Sequence, residues 1–418
     1  MPIIRAAVCH EFGKPLIVEN ILLNKPKHDE IEVTLKACAI CHSDISYMAG
    51  DWGGHLPAVY GHEAAGVVTA IGSSIKKYSI GDTVLATLIR ACGDCISCRN
   101  GKPTSCETRY DLVSGPLQTI DGKPIEQGLA TGAFAEKAVL HESQIQAIPE
   151  SISMTSASLL ACGVITGVGA VTNTAKVLPG SNVVVIGAGG VGLNAIQGAA
   201  LAGASKIIVI DLSEEKLTDA KEFGATDGIL ASVEKPYRIV KKMTEGRGAD
   251  YVFVTVGSIF AYEGASRFLS VGGNLVMVGM PPSGAKFKVE PVILATGSQS
   301  LLGSYMGGTV LKKDIPYMID LYQQGRLKLD ELVTRKYSLD EINEEQFGPI
   351  LHIYKYKAST LKENLIEIND KNYGLTLGIH SRIESKHAEI SGLLSAGNAY
   401  VNRDMVGAVV GVQPFGGE

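Results

Sequence analysis

Over residues 1–90, short apolar bursts alternate with polar positions and are broken by Gly and Pro. RAAVCHEFG, IEVTLKACAI, GHEAAGVVTAIG and GDTVLATLI each have the length and pattern of a strand, which predicts a small β-rich unit. Residues 91–133 are rich in Cys, Gly and Pro and predict a loop. From about residue 180 the pattern changes. SNVVVIGAGG predicts a strand ending in glycines, VGLNAIQGAALAGA a helix and KIIVID a second strand. YVFVTVG (251–257) and GGNLVMVGM (272–280) predict further short strands with helical segments between them. Alternating strand and helix predicts an α/β class with a doubly wound parallel sheet. There are no tandem repeats or low-complexity segments. Past residue 343 the texture changes again. SLDEIN (338–343) reads as a polar helix start, and EEQFGPILHIY as an acidic turn followed by a buried strand.

Composition narrows the class. The 418 residues suggest two or three domains at roughly 100–200 residues each. A hydrophobic share of 45% and a charged share of 19% suit a soluble globular protein. A net charge of −5 offers no basic surface for nucleic acid or acidic lipid. MPIIRAAVCHEFGKP lacks the apolar core and cleavage site of a secretory signal, and no run of roughly 18 apolar residues spans a membrane. The expectation is a cytoplasmic protein with neither nucleic acid nor membrane as partner. Of the eight cysteines, four lie at 92, 95, 98 and 106, which is metal spacing rather than a disulfide framework.

Gly187, Gly189 and Gly192, with Gly190 and Val191 between the last two, form G-x-G-x-x-G. Alone that motif is weak. Here it follows an apolar strand and opens a helix, and Asp211 ends the next strand 19 residues after Gly192. The glycines permit a tight turn and a close approach of backbone to a pyrophosphate, and the helix N-terminus supplies N–H groups and partial positive charge. Asp211 suits the two ribose hydroxyls and repels a 2′-phosphate. Leu212 and Ser213 offer no arginine to receive one, so NAD is expected rather than NADP. The bland alternative is a glycine-rich turn without a ligand.

Cys92, Cys95, Cys98 and Cys106 have the spacing C-x2-C-x2-C-x7-C, which suits a closed tetrahedral zinc site on one loop. An iron–sulfur site or four free thiols are the alternatives, and no flanking Cys-Pro or further cysteine cluster supports the former. A second, dispersed set is Cys41-His42-Ser43-Asp44, then Gly61-His62-Glu63, then Cys162. Two thiolates and an imidazole make a three-ligand zinc site with one position open. Singly, Cys162 reads as a small core residue and His62 as a core histidine; the joint arrangement beside a nucleotide fold changes the balance. Cys9 and Cys38, in apolar runs without partners, read as core.

CHSDISYMAGDW, GHEAAGVV, the four-cysteine lobe, LLACGVITGVGAV and VVVIGAGGVGLNAIQ ending at IVID resemble the zinc-dependent alcohol dehydrogenases of the medium-chain dehydrogenase/reductase superfamily, over residues 1 to about 343. The resemblance implies a GroES-like catalytic domain over 1–163, a Rossmann domain over 164–304 and a return to the catalytic domain over 305–343. It implies two zinc ions per chain: a catalytic one on Cys41, His62 and Cys162, with Glu63 close behind it, and a structural one on the four-cysteine lobe. Asp44 would bond the far nitrogen of His62, Ser43 would bond the substrate oxygen and pass its proton outward, and His42 would lie near the cofactor pyrophosphate. Trp52 would narrow the substrate pocket, Lys216 would reach the adenosine ribose, and Val278 with the segment Ser304 to Met306 would meet the nicotinamide. Many members carry a histidine where this chain has Ser46, so its proton relay departs from theirs. The implied reaction is hydride transfer between a primary or secondary alcohol and NAD, giving an aldehyde or ketone, in a homodimer or homotetramer.

Residues 344–418 resemble a different family. EEQFGPILHIYKYK, YGLTLGIHSRI and GNAYVNRDMVGAVVGVQPFGGE are similar to the C-terminal part of an aldehyde dehydrogenase, the pyrroline-5-carboxylate type above all. That resemblance implies nicotinamide-ribose contact for Glu345, a place near the ring for Phe347 and substrate anchoring around Gly411 to Phe415. The segment contains no cysteine to act as that family's nucleophile and stops at PFGGE, so no independent aldehyde dehydrogenase activity is expected. Two competing readings remain at this level: a folded zinc- and NAD-binding chimera without turnover because its ending is replaced, and a product of recombination or gene misassembly with no evolved role.

Overall fold

The computed structural model describes residues 1–343, 366, 376–379 and 398–401. The chain divides into two compact units, Met1–Glu344 and Glu345–Glu418.

In the first unit, ten strands precede residue 150: β1 (Ile3–Cys9), β2 (Ile17–Leu23), β3 (Glu30–Ala39), β4 (Ala58–Val59), β5 (Glu63–Ile71), β6 (Thr83–Ala86), β7 (Leu117–Gln118), β8 (Pro124–Gln127), β9 (Lys137–His141) and β10 (Ile145–Ala147). They form a closed barrel in the order β1-β2-β7-β8-β4 and a five-stranded sheet in the order β10-β6-β5-β3-β9. The long antiparallel pair β3–β5 shifts register between Leu35 and Ala37. Gly66 faces this irregularity because a Cβ there would come within 2.2 Å of the Thr34 carbonyl oxygen. The loop expected over 91–133 is therefore corrected: it contains β7 and β8, two barrel strands, as well as the short helix Ile96–Arg99. The two-residue β7 carries no readable alternation.

The parallel sheet follows: β11 (Asn182–Ile186), β12 (Lys206–Asp211), β13 (Asp227–Leu230), β14 (Ala249–Val254), β15 (Leu269–Met277) and β16 (Ser300–Gly303), in the order β13-β12-β11-β14-β15-β16. Every neighbouring pair is parallel. The strands are apolar on both sides because both faces are covered. Val183, Val185, Ile207, Val209 and Phe253 pack into one core, and Val184, Ile186, Ile208, Ile210 and Val252 into the other. Each such side chain, fully buried, contributes about 1.5–3 kcal/mol relative to leaving it in water.

After β16 the chain runs through the helix Leu311–Gln323 and returns to the β-rich portion. Leu339 and Ile342 pack against the core that holds Val8, Ile21 and Leu23. Ser338 caps the short turn Leu339–Glu341, in keeping with a polar helix start. Arg5 pairs with Asp340. Asn343 Oδ1 accepts from the Leu16 N–H at 2.8 Å and its Nδ2 donates to the Leu16 carbonyl at 2.7 Å. In the second unit, β17 (Thr376–Ile379) and β18 (Asn398–Val401) pair in parallel. Glu345, Phe347 and Gly411 to Phe415 lie outside the described residues.

Candidate active site and metal centres

Three separated segments bring one cluster together. Cys41 precedes the helix His42–Ala49, His62 precedes β5, and Cys162 precedes the helix Gly163–Gly169. The sulfurs of Cys41 and Cys162, a ring nitrogen of His62 and a carboxylate oxygen of Glu63 lie within 4.8 Å of one another. Asp44 organises the first two segments. Its Oδ2 accepts from the Cys41 N–H (3.0 Å), and its Oδ1 accepts from the Gly61 N–H (2.9 Å) and lies 3.0 Å from His62 Nδ1. Both side chains of the Asp44–His62 pair are wholly buried. With Nδ1 committed to Asp44, His62 Nε2 is left buried with no protein partner. An unpartnered buried nitrogen beside two thiols is the donor set of a zinc ion with three protein ligands.

Burial and the neighbouring charges shift every ionisable group of the cluster. The hydrogen bond from Cys162, then the His62 charge, pulls the Cys41 thiol well below its ordinary range, and the same Cys41 partner together with burial pushes Cys162 up. Burial pushes His62 down, but the Asp44 charge and hydrogen bond, joined by Cys41, carry it well above the usual imidazole range. Burial and the Cys41 charge raise Glu63. Glu63 Oε2 accepts from the Gly163 N–H at 3.3 Å, which ties the Glu63 carboxylate to the segment carrying Cys162.

The four sulfurs of Cys92, Cys95, Cys98 and Cys106 form the second cluster, also within 4.8 Å. Backbone N–H groups converge on them. Cys92 Sγ accepts from Asp94 (3.4 Å) and Cys95 (3.3 Å), Cys95 Sγ from Cys98 (3.5 Å) and Glu107 (3.4 Å), and Cys106 Sγ from Cys92 (3.3 Å). The Thr108 hydroxyl and then these N–H groups bring the Cys92 thiol down to about 6. Donors aimed at sulfur stabilise thiolates, which a tetrahedral zinc site requires.

The glycine loop joins β11 to the helix Gly190–Leu201. Gly187 has φ of 99°, and a Cβ on Gly192 would stand 1.9 Å from the Gly187 carbonyl oxygen. A Cβ on Gly189 or Gly190 would meet nothing within 4 Å, so the helix N-terminus faces open space that a pyrophosphate can enter. Asp211 ends β12, where Oδ2 accepts from the Ala188 N–H (2.7 Å) and Oδ1 from the Ser213 N–H (3.0 Å). Lys216 lies exposed in the first turn of the helix Glu214–Glu222, and Val191 is half-buried. Strand order reverses between β11 and β14, and ligands of open parallel sheets bind at such a crevice.

A cavity of about 1110 Å³ opens at the carboxyl ends of β15 and β16, lined by Thr174, Val278, Pro281, Ser304 and Tyr305 among others. Neither the glycine loop nor the Cys41 cluster lines it. Of the residues expected at the nicotinamide, Val278 and Ser304 are in its wall. Met306 is buried instead against the cluster, its Sδ 3.8 Å from Cys162 Sγ. Thus residues 304–306 run from the cavity wall to the cysteines. Trp52 donates its indole N–H to the Pro281 carbonyl at 3.1 Å and meets Tyr47 edge-on at 5.1 Å. His42 is exposed, Ser43 half-buried and Ser46 buried. Cys9 and Cys38 sit in β1 and β3, but each donates to a backbone carbonyl, of Glu11 and Ala39 respectively.

Some neighbours had no sequence signal. Thr166 Oγ1 lies 3.9 Å from Cys162 Sγ and 3.7 Å from Met306 Sδ, and Thr174 Oγ1 lies 2.8 Å from Ser304 Oγ. Hydroxyls in apolar helices look like ordinary helix residues until the turn at 304–308 is folded against them.

Three family models match. "Alcohol dehydrogenase GroES-like domain" covers residues 27–150, "Zinc-binding dehydrogenase" covers 190–324 and "Aldehyde dehydrogenase family" covers 333–418. Among solved structures, an alcohol dehydrogenase zinc-binding domain protein from Burkholderia ambifaria is 32% identical with a TM-score of 0.78, over 82% of this chain and 94% of that one. Benzyl alcohol dehydrogenase from Acinetobacter calcoaceticus is 31% identical with a TM-score of 0.77, over 82% and 95%. A putative zinc-binding dehydrogenase from Sinorhizobium meliloti 1021, bound to NADP, is 25% identical with a TM-score of 0.70, over 82% and 94%. The β-rich portion, the parallel sheet and these matches agree: the chain belongs to the zinc-dependent alcohol dehydrogenase family of the medium-chain superfamily, followed by a segment of the aldehyde dehydrogenase family.

Proposed function

We propose that the protein reversibly oxidises a primary or secondary alcohol with NAD. The observation that carries this reading is His62 Nε2, buried and unpartnered between two cysteine sulfurs. Cys41, His62 and Cys162 would hold a catalytic zinc and the four-cysteine lobe a structural one. A zinc in the first site supplies Lewis acidity that acidifies an alcohol hydroxyl, and a bound nicotinamide accepts the hydride.

The chain's own residues set the geometry and move the proton. Asp44 fixes the His62 tautomer by holding Nδ1, which leaves Nε2 free to bind. The Ser43 hydroxyl takes the proton from the alcohol and passes it outward. Ser46 stands where many relatives have an imidazole, and a buried hydroxyl there does not titrate near neutrality, so the proton leaves through water. The glycine loop cradles the pyrophosphate, with His42 beside it. Asp211, already oriented by two backbone N–H groups, receives the ribose hydroxyls with Lys216 alongside. Ser304 and Val278 offer backbone groups to the nicotinamide amide, and Trp52 restricts the alcohol. Eight cysteines with no disulfide between them support a reducing, cytoplasmic setting. The exposed edge strand β16 supports a homodimer, itself able to pair into a tetramer.

The test is NADH formation by the zinc-loaded full chain over a panel of primary, secondary and benzylic alcohols. Turnover that Cys41→Ser abolishes, with NAD binding retained, is the expected result. A folded chain holding two zinc ions and binding NAD, yet inert across the panel, would instead establish the turnover-free reading that the replaced ending supports.

A further inference from the structure

Arg90 is a cation without an anion of its own. Among the described residues it makes no ion pair with any carboxylate, and its Nε is buried with no acceptor. Its guanidinium carbon lies 4.2 Å from the centroid of the Tyr110 ring. The Tyr110 hydroxyl lies 3.9 Å from Cys106 Sγ. The other guanidinium groups near the lobe are differently placed: Arg99 is bonded to Asp94 at 2.7 Å, and Arg109 is exposed. Four thiolates around a divalent ion leave a net charge of about −2, which a half-buried lobe must balance.

From this geometry we infer that Arg90 and Tyr110 form the counter-ion relay of the four-cysteine site. The relay holds the metal by offsetting the thiolates' excess charge. The inference rests on the reading of that lobe as a zinc site. A cation over the face of a phenol draws electron density from the ring, which makes the hydroxyl a stronger donor to sulfur. Tyr110 thus transmits part of the Arg90 charge to Cys106 through one hydrogen bond. Arg90 is a positioning and charge-balancing residue here; it touches no substrate.

The test measures zinc release from the zinc-loaded full chain into a chromogenic chelator, after total zinc is counted. The wild-type chain is expected to hold two ions. Arg90→Gln should release one of them about tenfold faster, the lower bound for loss of an outer-shell partner. Arg90→Lys, which keeps the charge, should stay near the wild-type rate. Raising the salt concentration should narrow the gap between Arg90→Gln and wild type, which a purely steric role would not do. Tyr110→Phe, which keeps the ring and deletes the hydroxyl, should also speed release. Equal rates for wild type, Arg90→Gln and Tyr110→Phe would overturn the relay with the zinc site intact. A wild-type chain with the same zinc content as Cys98→Ser would overturn the site itself, and the relay with it.

Discussion

Replacing Asp44 by Asn removes one charge and almost no volume, and its cost can be worked out from three hydrogen bonds. The Asp44 carboxylate accepts from the Cys41 N–H, the Gly61 N–H and His62 Nδ1, with no solvent exposure of Asp44 or His62. An amide has one acceptor oxygen, so in either orientation its NH2 group faces at least one of these donors. An opposed buried donor costs about 1–3 kcal/mol. The bonds that survive lose their charge assistance, roughly another 1 kcal/mol each. The expected loss of stability is therefore about 3–5 kcal/mol. The same change weakens the hold on His62 Nδ1 by removing the charge that orients it, so zinc affinity at the Cys41 cluster should fall by about 10- to 100-fold. Guanidinium denaturation of the metal-free chain measures the first quantity and competition with a chelator of known affinity the second. A variant whose midpoint and zinc affinity both match wild type would refute the idea that Asp44 holds the two ligand segments together.

Three further outcomes follow from the same geometry. Gly192→Ala places a Cβ against the Gly187 carbonyl and should cost NAD binding at least about tenfold by calorimetry with zinc content unchanged, as a 1.4 kcal/mol clash would. Asp211→Gly should raise the relative use of NADP; an unchanged cofactor ratio would show that the ribose is held elsewhere. Burial, followed by the Arg90 charge, holds His141 below the usual imidazole range, and its Nδ1 accepts from the Ser143 N–H at 3.1 Å. The unfolded chain therefore takes up this proton first as pH falls below about 6.5, so stability declines there and is fully present above it. His141→Gln should flatten that decline in denaturation midpoints.

The parallel sheet was readable from sequence where its strands are long and apolar, as in NVVVI and KIIVID, because burial on both faces writes itself as an unbroken run. β13 and β16 escaped notice because DGIL and SLLG are four residues long and end or begin on small polar positions. The barrel strands β4 and β7 are two residues each, and closure of the barrel rather than local preference creates them. At the site, the ligand types were legible because Cys, His and Asp announce themselves by spacing. Arg90, Thr166 and Pro281 were not, since an arginine after a strand, a helical threonine and a loop proline have ordinary duties. Met306 illustrates the same limit: backbone proximity to the cavity was readable, but the side chain's turn toward Cys162 depends on φ of 49° at that residue.

The bond from Trp52 to Pro281 joins the loop after the Cys41 helix to the segment after β15, and a second bond, from the Ser283 N–H to the Asp51 carbonyl at 3.2 Å, runs beside it. Trp52 is also the chain's single tryptophan. The molecule thus carries an unlabelled optical reporter at the point where its β-rich and parallel-sheet portions meet. Any separation of the two exchanges a carbonyl for water at the indole nitrogen, and the emission colour registers it with no second indole to confuse the signal.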